Sequence, residues 1–106
     1  MRYLWQASYT QEGLRGLLEE GGSSRRDAVE RIVVDGLGGV VEAFYFAFGE
    51  HDVYVIADVP DPETAAAISL TVASTGALDV RTTQLLTPEE MDAAAKLSVS
   101  YRAPGA

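Results

Sequence analysis

Residues 40–59, VVEAFYFAFGEHDVYVIADV, carry the strongest constraint in this chain. They read as two strands, 40–48 and 52–59, joined at Gly49-Glu50-His51. Strand side chains alternate between faces, so Val40, Phe44, Phe46 and Phe48 share one parity. Val41, Ala43, Tyr45 and Ala47 share the other. Both sets are apolar, so the hairpin requires cover on both faces. In a chain of 106 residues the helices suffice for one face only. A second copy of the chain is the expected cover for the other.

The remaining elements follow from local signals. YLWQASY, 3–9, is a predicted strand rich in aromatics. Thr10 is a candidate N-cap for a helix over 11–20 with Leu14, Leu17 and Leu18 on one face, and Gly21-Gly22 ends it. Ser23 or Ser24 is the expected cap of a second helix, 24–36, with a stripe of Ala28, Val29, Ile32 and Val33. Asp61 caps and Pro62 starts a small-residue helix over 62–75. Residues 79–86 are the last predicted strand, and Thr87-Pro88-Glu89-Glu90 is a capping box that opens a helix ending near Leu97. The order is β-α-β-β-α-β plus a terminal helix, which specifies an α+β, ferredoxin-like sandwich with a split first helix. Both helical layers are expected on one side of an antiparallel sheet. Residues 1–100 form one domain, and 101–106 are a flexible tail.

The totals remove several classes of function. Eight Lys and Arg against sixteen Asp and Glu give a net charge of −8, which disfavours nucleic acid and anionic membrane surfaces. Without cysteine there is no disulfide framework, thiolate nucleophile or Cys-ligated zinc. No run approaches the roughly 18 apolar residues of a membrane span, and MRYLWQAS is no signal peptide. The expected setting is soluble and cytoplasmic.

SYT (8–10), EGGSSRRDAV (20–29), VEAFYFAFGEHDVYVI (41–56) and TTQLLTPEE (82–90) together resemble the GYD-domain family. The resemblance spans about residues 3–92, four segments in order. In the Gly49-Glu50-His51-Asp52 hairpin, His51 stands where the family more usually has Tyr. The resemblance implies a ferredoxin-like domain paired into a dimeric α/β barrel. It brings no established activity with it.

Three sets of residues can carry chemistry. Ser24, Arg25 and Arg26 follow Gly21-Gly22 at an expected helix start, where cations oppose the macrodipole. They can hold a carboxylate or phosphate, or the arginines can pair with Glu19, Glu20 or a neighbouring copy's carboxylates. Trp5, Tyr9, Tyr45 and Tyr54, with Tyr3, can line a pocket between two sheets or simply fill a dimer core. His51-Asp52 is the one His–carboxylate pair, but neighbouring strand residues point apart, so a solvated turn histidine is the plainer reading. Asp52 is expected to bond turn amides. The residues imply no cofactor and no metal. They support a homodimer or higher homo-oligomer that binds a small organic ligand, anionic if the arginines hold it. The alternatives are a cofactor-free enzyme using tyrosine, arginine and His51, and a purely structural oligomer.

Overall fold

The structure is a computed structural model that describes residues 1–106. Strand β1, Arg2–Tyr9, leads through helices α1, Gln11–Glu20, and α2, Gly22–Glu30, into strand β2, Val40–Phe46. Strand β3, Val53–Asp58, helix α3, Pro62–Ser74, strand β4, Leu78–Leu85, and helix α4, Pro88–Ala95, complete the chain. The four strands form one antiparallel sheet in the order β2-β3-β1-β4. The sheet is open, with β2 and β4 as its edges, so no barrel closes within the chain.

β1 and β3 occupy the centre because they alternate most regularly. Tyr3, Trp5 and Ala7 on β1, and Val53, Val55 and Ala57 on β3, are all buried, and the residues between them are half-exposed. The buried face meets Val33 from the segment after α2 and Ala65 and Ile68 from α3. Both helical layers therefore cover one side of the sheet. Ser69 fixes α3 on that side. Its hydroxyl accepts from Trp5 Nε1 at 3.0 Å, donates to the Ala65 carbonyl at 3.2 Å and bonds Thr82.

Three expectations about the elements are corrected. α2 starts at Gly22 and is capped by Gly21, whose φ of 86° suits glycine, so neither Ser23 nor Ser24 caps it. The helix expected over 24–36 is α-helical only to Glu30, and Arg31–Gly36 winds as a π-helix. This wider turn brings Val33 against Gly39, whose N–H closes on the Val33 carbonyl at 2.8 Å. The hairpin strands are shorter than 40–48 and 52–59. Ala47 N–H bonds the Asp52 carbonyl and Asp52 N–H bonds the Ala7 carbonyl, so 47–52 is a loop and Phe48 is fully exposed on it.

A β-bulge changes the faces of β2. Val41 pairs with Ala57 and Ala43 with Ile56, which leaves Glu42 unopposed. Beyond the bulge, Phe44 stands opposite Val55 and Phe46 opposite Val53. Val41, Phe44 and Phe46 therefore face the helices. Val40, Ala43 and Tyr45 face the other way, against the parity that an unbroken strand implies.

A candidate binding cavity between helices and sheet

The spacing of short side chains opens a cavity inside the helix-covered half. Arg25, Val29 and Val33 recur every four residues along α2 and its π-helical extension, so they line one face. Ile68 and Val72 do the same on α3. Strand alternation brings Trp5, Ala7 and Tyr9 up from β1, Val53 and Val55 from β3, and Phe44, Leu78 and Val80 from the outer strands. Valine and alanine are too short to meet across this gap. It leaves about 70 Å³ for the centres of water-sized molecules. About 10–15 Å³ on this measure holds one water, but a water also needs polar partners. Of thirteen lining residues, twelve are hydrophobic, so the cavity favours apolar matter over water.

Arg25 is the exception. Its guanidinium lies beside the Tyr9 phenol, and the side chain as a whole is one-third exposed. Burial pushes the Tyr9 hydroxyl above its ordinary value, and the neighbouring Arg25 cation partly offsets that shift. Arg25 Nη1 also donates to Glu20 Oε2 at 3.2 Å. The Trp5 indole N–H is engaged by Ser69, so Arg25 and Tyr9 carry the other side-chain polar groups on the cavity wall.

Of the seven residues singled out from the sequence, Trp5, Tyr9 and Arg25 come together here. Ser24 is exposed and outside the lining. Arg26 turns to Asp27, at 3.2 Å, on the outer surface. Tyr45 pairs with Tyr54 on the opposite face of the sheet from Trp5 and Tyr9. Trp5 and Tyr9 therefore meet helices, where a pocket between two sheets was expected. Arg25 closes the first turn of α2, with its N–H on the Gly21 carbonyl, and Arg26 opens the second, so both lie beyond the free N–H groups of the helix start. The expectation of two cations opposing a helix dipole is corrected accordingly. Phe44, Val29 and Val72 also form cavity walls, a place not expected of them from the sequence. The four-residue step from Arg25 to Val29 to Val33 was the available signal.

A second, more polar groove holds Ser8, Glu50, His51, Asp79 and Arg81. His51 is half-buried and not a freely solvated turn residue. Its Nδ1 lies 3.3 Å from Ser8 Oγ, and its ring meets Tyr54 edge-on at 6.0 Å. No carboxylate bonds its ring, so no catalytic triad is assembled. Asp52 Oδ2 accepts from Tyr9 N–H at 2.9 Å, which ties the loop to the end of β1 and corrects its expected role toward turn amides. No three His, Cys, Asp or Glu side chains approach closely enough to hold a metal.

The GYD domain family model matches residues 3–95 of the chain. No curated protein and no solved structure matches it.

Proposed function

The chain belongs to the GYD-domain family, and from that premise we propose that it is a homodimer of ferredoxin-like protomers that binds a small organic molecule between helices and sheet. The observation that carries the binding half is the apolar cavity with one cationic side chain on its wall. Ligand sites are concave, mostly apolar and furnished with a few orienting polar groups. A β1–β3 centre with helices on one side and the strand order β2-β3-β1-β4 supports the ferredoxin-like reading.

The dimer half rests on exposure. Only 12 of 106 residues are buried, too small a core to leave a whole sheet face in water. That face carries Leu4, Ile56, Tyr54, Ala43, Tyr45 and Val40, rimmed by the Arg2–Glu42 ion pair at 2.7 Å. An apolar patch with a polar rim is the usual form of a protein interface. Two such faces stacked would enclose the second core that the opening hairpin demands.

Benzene is a suitable first probe, because dry apolar cavities accept it. In a methyl NMR titration of the native chain, the signals of Val29, Val33 and Val72 move and that of Val40 does not. Unmoved cavity methyls at saturating benzene would remove the binding half. Sedimentation at micromolar concentration gives a dimer mass, and a well-folded monomer there would remove the other half.

A further inference from the structure

We infer that the guest is a short monocarboxylic acid with an aliphatic or aromatic tail, its carboxylate held by Arg25 and Tyr9 in place of Glu20 and its tail in the cavity. The inference rests on the cavity being a binding site and names the chemistry that this site selects. Four observations converge on it. Twelve of thirteen lining residues are hydrophobic, so the bulk of the guest is apolar. The one charged wall residue is a cation, which excludes an ammonium head. Arg25 presents a planar fork of N–H donors, the geometry that matches a carboxylate. The Tyr9 phenol beside it is half-buried and protonated at neutral pH, so it is a second donor to the same anion.

The competitors fit less well. A dianionic phosphate would set its second charge against Glu20, in a chain of net charge −8. A dicarboxylate would bury its far charge among Val29, Val33 and Val72, where nothing compensates it. A neutral alcohol fills the space but leaves the guanidinium with Glu20. That internal pair is cheap to exchange. It joins the end of α1 to α2 at the surface, with side chains 33% and 49% exposed, and such pairs are weak. Glu20 thus acts as a resident stand-in for the ligand's head group, and it sets an affinity threshold that acetate, lacking a tail, does not pass.

Calorimetric titration of the full chain with hexanoate, hexanol and acetate tests this, together with R25Q and E20Q. Expected are hexanoate binding about tenfold tighter than hexanol, as one charge-assisted contact provides, and no binding of acetate at the same concentrations. R25Q abolishes the preference for the acid while hexanol still binds, which also shows that the variant is folded. E20Q removes the competitor and tightens hexanoate several-fold while leaving hexanol unchanged, an outcome that a purely structural Arg25 does not give. Equal binding of acid and alcohol, or a preference that survives R25Q, overturns the inference and leaves the cavity as a binding site for neutral guests. If none of the three binds, both the inference and the binding site fall.

Discussion

Gly13 lies inside α1, and an added Cβ would clash with the Ala77 carbonyl oxygen. The same point anchors Thr10, whose hydroxyl accepts from Gly13 N–H and donates to the Gly76 carbonyl. Gly→Ala within a helix ordinarily stabilises by about 1 kcal/mol. Here the clash is with backbone and reverses the sign. Gly13→Ala is expected to destabilise by about 1–3 kcal/mol, as overpacked sites do, measured by urea unfolding. Ser69→Ala has a different cause. It leaves the Trp5 indole N–H without its acceptor and costs about 1–3 kcal/mol, read as a lower urea midpoint. Tyr9 gives a pH dependence. Its folded pKa lies above the ordinary value of 10.0, so an unfolded chain loses that proton first. The contribution of Tyr9 is full below pH 10 and is lost as pH rises through its folded pKa. Tyr9→Phe should flatten that alkaline decline in stability. None of these roles was legible in the sequence. Gly13 carries no local mark of its contact with Ala77, 64 positions away, and Ser69 reads as one small helix residue among many.

Helix starts were legible because capping is local. Thr10, Asp61 and Thr87 each accept the backbone N–H three residues on, as their residue types suggest. α2 escaped this reading because its cap is a glycine, which has no side chain to bond a helix N–H and suits the positive φ. The bulge at Glu42 escaped for another reason. Nothing within VVEAFYF marks an unopposed residue, since the ladder with β3 creates it. A parity argument therefore failed on β2 although it held on β1 and β3. The caps also separate two kinds of element. Asp61→Ala loosens α3, which carries Ala65 and Ile68 of the core, and should lower the global thermal midpoint. Thr87→Ala breaks the capping box of α4, all of whose residues are exposed. It should raise amide exchange within α4 and leave the global midpoint unchanged.

The molecule as a whole is longer than a chain of its size requires. A compact domain of 106 residues has a radius of gyration of about 13 Å, against 16.9 Å here. Residues Pro88–Ala106 are exposed throughout. That the hairpin is apolar on both faces was legible, because it follows from composition whichever parity is correct. Which of those residues lie on the uncovered face was not, because the bulge decides it. Ile56 sits at the centre of the uncovered face, opposite Leu4 and Ala43. Ile56→Asp should shift the sedimenting species from dimer to monomer, while a substitution at exposed Leu18 on α1 leaves it alone. The cavity was not legible: Trp5, Tyr9 and Arg25 stand out in the sequence, but the aromatics point to a pocket between two sheets, and closure by Val29 and Val72 needed the packing of α2 and α3. That cavity also has a mechanical consequence. Void space is volume that unfolding eliminates, so hydrostatic pressure acts on it directly. The volume change on unfolding scales with such unfilled space. The helices should part from the sheet under pressures that β1 and β3 survive as a pair, and a guest that fills the space should make the protein stiffer.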